Sequence, residues 1–541
     1  MLFNTVEYIL FLPIVVSVYY LIPEKIRYIW LLIVSYYFYM HWNPLYIVLL
    51  LFCTVITYIG GLCMEKYENR KRLCLILCVG ADLGILAFFK YVSFGILMWI
   101  FIFAIAVHSL NYMYVAGFAE DEWERIVMHS FYGDEGKIKN LYLGSSHVYC
   151  DLDPYQLDSL NGQYNFNLAT PIQLMNGTYY LLREADQRNE LSHVYVELYY
   201  RVSSKNNFDK DRDPIEETFL QNTRIADYMR ISLNKMCYLA TMADVEKCPD
   251  IFFGFSRYRM HLDDWDYVRT AIERKRSGEY ASFQYHVDYD DGNGHMEYLP
   301  RGRYYTSRAL PDQGRIFFQE RVLAQEPMAE KSERYLRKII SYCQKREIPI
   351  TLFISPMYEL QLLSTEHYDN YLNQVREIAA EYGVDIYDFN LAREEYLPIQ
   401  KTKYFLDMGH LNSAGAELYT DFFYKIVSGD AKENRKYFYD TYEEKLAHAE
   451  PEVYGIYYRD EPGEDGETTI RNMFVASNRS EGMEYRITMT PTAEGDAEPY
   501  MLQDFCENRA FQVDNREHGI CAITYRMKET SGEEETIEIA Y

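Results

Sequence analysis

The sequence is short of positive charge. Its 541 residues carry 54 Lys and Arg against 80 Asp and Glu, a formal net charge of -26. That balance repels a phosphate backbone instead of releasing its counterions, which excludes nucleic acid as a partner. The ten cysteines include no C-x-x-C pair and no zinc spacing, which excludes a structural zinc site. No small-residue cleavage pattern follows the first apolar stretch, so that stretch is not read as a signal peptide. One acidic run, Asp288-Tyr-Asp-Asp-Gly-Asn-Gly294, invites a calcium loop. Glycine at the fifth position and the lack of glutamate at the twelfth make it a solvated turn instead. No metal and no cofactor are expected.

What is present falls into parts of different character. At roughly 150 residues per domain the length allows three to four units. Residues 1–110 hold 7 basic and 5 acidic side chains, leaving 47 and 75 for the rest. Apolar stretches fill this first part: Val6 to Ile22, Tyr28 to Met40, Leu45 to Met64, Leu73 to Phe89 and Val92 to Leu110. Several reach the ~20 residues that cross a bilayer, so an α-helical membrane segment is expected over 1–110. The loops Glu24 to Arg27 and Glu65 to Arg72 hold six of the seven basic residues. That distribution puts both loops on the cytoplasmic side and the remainder of the chain outside, with one of the last two stretches re-entrant or interfacial.

From Lys137 the pattern changes to short β-branched and aromatic runs alternating with longer amphipathic ones. Strands are expected at Asn140 to Gly144, Tyr164 to Leu168, His193 to Tyr200, Ile348 to Ser355 and Val384 to Phe389. Helices are expected at Pro171 to Arg188, Ala329 to Arg346, Glu366 to Tyr382 and Ser413 to Val427. Strand, helix and strand in repetition give an α/β domain built on a parallel five-stranded sheet, spanning 111–430 with an insertion at 201–327. Period-two alternation then dominates 452–541, which includes the turn-rich Glu461-Pro-Gly-Glu-Asp-Gly466, and predicts a small antiparallel β domain. Cys506 and Cys521 could bridge it in an oxidising compartment.

Ligands of an open parallel sheet bind at the carboxyl ends of its strands. The first strand runs into Leu143-Gly144-Ser145-Ser146-His147, and the last leads to Asp407-Met-Gly-His410 before the final helix. A serine presented early and an Asp-x-x-His late divide the labour of serine hydrolysis: the histidine moves the serine proton and the carboxylate fixes its tautomer.

Two family resemblances attach to these residues. Met1-Leu-Phe-Asn-Thr, Phe11-Leu-Pro-Ile, Ser35-Tyr-Tyr-Phe-Tyr, His41-Trp-Asn-Pro and Phe88-Phe-Lys-Tyr91 resemble the opening of the bacterial membrane-bound O-acyltransferases of the alginate O-acetylation type. The likeness stops near residue 95, before the helices that carry that family's essential histidine, and neither His41 nor His108 stands in a context to replace it. Gly144 to Ser146 and Asp407 to His410 resemble the first and last blocks of the SGNH hydrolases, a flavodoxin-like family. Within it the nearest likeness is to membrane-anchored proteins of teichoic-acid D-alanylation and alginate-type O-acetylation. The resemblance implies Ser146 as nucleophile, with Ser145 as the fallback, His410 as base and Asp407 as its orienting carboxylate.

The family's glycine and asparagine oxyanion donors are not plain here. The backbone at Ser146 and near Ala169, with the Asn167 side chain, are the substitutes. The implied activity is a membrane-anchored serine esterase or O-acyltransferase acting on an extracytoplasmic polysaccharide or teichoic-acid-like polymer, beside a full-length membrane-bound O-acyltransferase. Transfer and hydrolysis are not distinguished. The alternative is a non-catalytic polymer-binding accessory of that acyltransferase.

Overall fold

The structure, a computed structural model, describes residues 6–40, 46–66, 71–114, 122–203, 215–242, 248–277, 285–288, 294–310, 316–319, 328–363, 365, 368–462, 469–479, 481–491, 498–514, 518–528 and 533–541. His41, the middle of the acidic turn (289–293), the tip of the second basic loop (67–70) and most of the turn-rich linker (463–466) lie outside the described residues. The chain divides into two compact units, Met1–Ser109 and Leu110–Tyr541.

The first unit consists of helices α1 (Val6–Leu21), α2 (Arg27–Met40), α3 (Tyr46–Lys66) and most of α4 (Lys71–Tyr114). It corrects the expected membrane-spanning segment: among the described residues no helix is long and apolar enough to cross a membrane. At 1.5 Å per residue the 16 residues of α1 and 14 of α2 reach only about 24 and 21 Å of a ~30 Å hydrocarbon layer. α3 and α4, at 21 and 44 residues, have the length, but among the described residues neither combines it with enough apolar character. Among the described residues the orientation argued from the basic loops therefore has no crossing helix to act on. Nor is there a re-entrant break, because the two last apolar stretches form one continuous helix, α4. No proline or cap between Phe89 and Val92 stops it.

Within this unit α1 and α2 meet through Phe11 against Tyr37 and Phe38, and through the Trp30 indole on the Val15 carbonyl at 3.1 Å. Thr57 of α3 donates to Asp82 of α4 at 3.1 Å, which makes Asp82 a packing residue.

The second unit is built on a five-stranded sheet in the order β2-β1-β3-β8-β9: β1 (Asn140–Leu143), β2 (Asn165–Asn167), β3 (His193–Glu197), β8 (Ile350–Ile354) and β9 (Asp385–Asp388). Every pair is parallel. The inner strands β1, β3 and β8 are covered on both faces and read as mostly apolar runs, whereas the edge strands β2 and β9 are more polar. Phe423 of the helix Ser413–Val427 packs on Tyr142, Tyr195 and Phe353. The alternate residues Leu141, Leu143, Val194 and Val196 face the opposite layer, where α8 (Met175–Asp186) and the helix Glu330–Lys345 join through Tyr179, Tyr180 and Tyr335. On the Phe423 side, β1 leads into α6 (Ser146–Asp151) and α7 (Pro154–Asn161), preceded in the chain by α5 (Glu122–Gly133).

Beside the helical stretches legible in its sequence, the inserted region carries an antiparallel sheet that the pattern did not announce: β4 (Tyr285–Asp288), β5 (His295–Leu299) and β6 (Arg303–Thr306). Its last strand reaches back to the core. Arg303 is 1 % exposed, donates to the Tyr149 and Cys150 carbonyls at the end of α6, and places its Nε 3.4 Å from the Asp153 carboxylate. Beside it Gly302, at φ +67°, lies so close to the Asn167 carbonyl that a Cβ would collide with that backbone. The insertion thus braces the serine-bearing helix.

The C-terminal region is also corrected: it is not purely antiparallel and does not stand alone. β10 (Val453–Pro462), β11 (Thr469–Ser477) and β14 (Ala510–Asp514) form one sheet with β7 (Ile316–Gln319) of the insertion, and β7 pairs parallel to β10. Pairing with the apolar Ile-Phe-Phe-Gln strand closes the β10 edge, which would otherwise expose a row of unpaired backbone groups. β12 (Met483–Pro491), β13 (Tyr500–Cys506), β15 (Gly519–Met527) and β16 (Glu535–Ala540) form the second sheet. Alternate residues such as Tyr485, Ile487, Met489 and Ile523 fill the core shared by the two sheets. Cys506 and Cys521 are free, not bridged.

Candidate active site

Gly144 makes the turn after β1 possible. Its φ of +157° suits glycine, and a Cβ there would lie 2.5 Å from the Cβ of Glu197 and 2.8 Å from Val148. The turn delivers two serines to different places. Ser145 is 2 % exposed and caps α6, its side chain accepting the His147 N–H at 3.4 Å while its own N–H donates to Glu197 Oε2 at 2.9 Å. Ser146 is half-buried at the first position of α6, where its backbone N–H has no intrahelical acceptor.

The second loop arrives from the other end of the domain. Asp407 accepts the N–H groups of Gly409 and His410 at 2.8 and 2.9 Å, folding its four residues into a tight turn. Asp151 at the end of α6 accepts the Leu411 N–H at 2.9 Å and ties this loop to the serine-bearing helix. The outcome is a continuous chain: His410 Nε2 lies 2.7 Å from Ser146 Oγ, and His410 Nδ1 lies 2.9 Å from both oxygens of Asp407. A carboxylate can only accept, so Nδ1 carries the proton and Nε2 accepts from the serine hydroxyl.

Electrostatics support that tautomer. Burial works against the charged form of His410, yet Asp407 at contact distance, with Asp151 and Glu197 further in, outweighs it and raises the imidazole above its ordinary pKa. Protein packed around the Asp407 loop opposes its charge, but His410 and the two backbone N–H groups hold the carboxyl down to about 2. His147 packs its ring 4.2 Å from Tyr199 and 4.8 Å from His410, between ring centroids. Burial, then the neighbouring His410, push its pKa well down, so it stays neutral.

The structure therefore brings Ser146, His410 and Asp407 together and leaves Ser145 turned inward. Asn167 and Ala169 have other employment. Asn167 donates its side-chain amide to the Leu152 and Val148 carbonyls at 2.9 and 3.3 Å, and the Ala169 carbonyl accepts the Trp123 indole at 3.0 Å. Among the described residues neither hydrogen-bonds to the Ser146–His410–Asp407 chain. Sequence reasoning passed over Glu197, Asp151 and Arg303. The signal was a charged side chain inside an apolar run, as in His193-Val-Tyr-Val-Glu197. Among the described residues no group of His, Cys, Asp and Glu is arranged to hold a metal.

A parallel α/β sheet with Ser, His and Asp in hydrogen-bonded sequence at its carboxyl ends has the geometry of serine-hydrolase chemistry. No family model matches the chain. Over 90 residues it is similar to proteins described as "Probable alginate O-acetylase AlgI": 41 % identical to that of Pseudomonas aeruginosa, 39 % to that of Pseudomonas putida and 38 % to that of Azotobacter vinelandii. Each match takes in 16 % of this chain and 17, 19 and 18 % of those relatives. The chain thus spans less than a fifth of the length of the curated relatives it matches.

Proposed function

We propose that the chain is an SGNH-type serine esterase or O-acyltransferase that works through an acyl-Ser146 on a polysaccharide or similar surface polymer. In this reading 111–430 is the SGNH-like domain, interrupted at 201–327. The observation that carries it is the 2.7 Å contact between Ser146 Oγ and His410 Nε2, backed by Asp407 at 2.9 Å. The partial similarity to alginate O-acetylases supports O-acyl chemistry.

The serine oxygen attacks the acyl carbonyl as its proton passes to His410 Nε2, and Asp407 stabilises the imidazolium. The Ser146 N–H, at a helix start, faces the developing oxyanion as the main-chain donor. His410 then returns the proton to the departing alcohol, leaving an acyl-serine. Water, or a sugar hydroxyl, gives its proton to His410 and attacks this ester; His410 passes that proton to the departing Ser146 Oγ, releasing acid or acylated polymer and restoring both residues. A separate full-length membrane-bound O-acyltransferase is the proposed partner. Association with a membrane surface is supported by the broadly exposed apolar side chains of the first unit, such as Leu10, Ile14, Leu21, Ile76 and Phe101.

One observation favours a second reading, a polymer-binding accessory: the Asn167 amide is committed to carbonyls and is not offered to an oxyanion. Turnover of an activated acetyl ester by the purified chain separates the two. Saturable turnover that Ser146→Ala abolishes supports the esterase; polymer binding without any turnover supports the accessory.

A further inference from the structure

Glu197 ends β3 against the turn that presents Ser146, and the reaction above leaves it unused. Its Oε2 accepts the Ser145 N–H at 2.9 Å, and its Cβ and Oε2 fill the space that any side chain on Gly144 would need. It is 1 % exposed, and among the described residues its Oε1 has no hydrogen-bond partner. The titratable groups in reach of it come from five places: Asp151 of α6, Tyr199 of its own loop, Tyr371 of the helix Tyr368–Tyr382, His410, and Tyr419 of the helix Ser413–Val427. His410 alone in this set can carry positive charge.

We infer that Glu197 is a positioning residue of the ester-cleaving centre: its carboxyl fixes the turn that aims Ser146 and couples its own charge to the proton on His410. The role in turnover rests on the esterase reading; the coupling does not. A carboxyl buried on the serine side and lacking a basic partner resists ionisation, and burial pushes Glu197 up to about 7, against the hydrogen bonds from Ser145 and the field of His410. Its anion favours the imidazolium, which cannot serve as base. Its neutral form releases the imidazole as base at lower pH. Two interacting groups of this kind titrate as a pair, not as separate residues.

Glu197→Gln keeps an oxygen for the Ser145 N–H and removes the charge. The test is a histidine-labelled NMR titration of the full chain, with His410 assigned through His410→Gln, beside the pH profile of kcat/KM. The expected result is that Glu197→Gln moves the His410 midpoint and the ascending limb of kcat/KM together to lower pH. A role limited to holding the turn would lower kcat and leave both in place. If Glu197→Gln does not fold, carboxyl-labelled glutamate in the parent gives the same answer: one carboxyl titrating in step with His410 is expected. An unmoved His410 midpoint in Glu197→Gln, or parent glutamates that all titrate in the ordinary carboxylate range, would overturn the inference. A parent without turnover whose His410 midpoint still moves would remove the esterase reading and leave the coupling standing.

Discussion

At the scale of residues, the adjacent serines Ser145 and Ser146, which the sequence ranks only by motif position, separate cleanly in space. Ser145 points inward and spends its hydroxyl on the cap, whereas Ser146 meets His410. Ser146→Ala and His410→Ala should each lower kcat/KM for an activated acetyl ester by roughly 10³-fold or more, and the double variant should be no worse, because the two act as a unit. Ser145→Ala should lose far less. Equal losses in both serine variants would contradict the assignment. The pH profile follows from the same residues. The base must be neutral, and Asp407 raises the His410 pKa, so the ascending limb of kcat/KM should lie above pH 6.5, the ordinary imidazole value. Asp407, at about 2, stays ionised throughout. Loss of activity on raising the pH through 7 would be the wrong sign.

At the scale of elements, the strand centres were legible because β-branched and aromatic runs mark buried strands, while their ends were not. The expected strand His193 to Tyr200 stops at Glu197, since the chain must turn there to form the short helix Tyr200–Ser203 beside the site. The meeting of Ser146, His410 and Asp407 was legible as spacing: a Gly-Ser-Ser turn after one strand and an Asp-x-x-His before the last helix. The oxyanion donors were not, because whether the Asn167 amide is free depends on α6 carbonyls that no local pattern reveals. The brace from the insertion was equally invisible, as Arg303 is separated from Cys150 by a hundred and more residues of unrelated sequence. Arg303→Met should cost about 3–5 kcal/mol, because it leaves buried carbonyls without their donor and Asp153 without its ion-pair partner. Urea unfolding beside kcat would show both fall; a loss under ~1 kcal/mol would mean that α6 is held by other contacts.

At the scale of the molecule, the apolar stretches of residues 1–110 illustrate how composition overreaches: an apolar run is a local pattern, while a crossing needs length and apolar character together in one helix, which among the described residues no helix has. The partnership of β7 with β10 was unreadable for the opposite reason, since pairing over more than a hundred residues leaves no periodic trace. It predicts that the C-terminal sheets cannot be removed cleanly. A chain ending at residue 450 exposes the β7 edge and should self-associate on size-exclusion chromatography, whereas a monodisperse, active product would show the regions to be independent.

Whole-chain stability should also respond to pH through buried carboxyls. Burial raises Asp388 to about 6 and Glu197 to about 7, so each contributes stability that is complete below its unfolded pKa and is lost as pH rises through the folded one. His410, also raised, acts in the same direction, and Asp407 titrates well below this range. His129, His147 and His193, lowered by burial, gain stability over the same range, so the carboxyls set only one part of the change in melting temperature between pH 5 and pH 8, a part that lowers it at pH 8. Glu197→Gln with Asp388→Asn should remove that part.

The central claim is that Ser146, activated by His410, is an acyl-accepting nucleophile. It is tested most directly by treating the full chain with a fluorophosphonate and mapping the modified peptide by mass spectrometry. Stoichiometric phosphonylation at Ser146, absent from Ser146→Ala and strongly slowed in His410→Ala, is the predicted result. A folded chain that takes no label, or takes it on another residue at an unchanged rate in His410→Ala, would contradict the account.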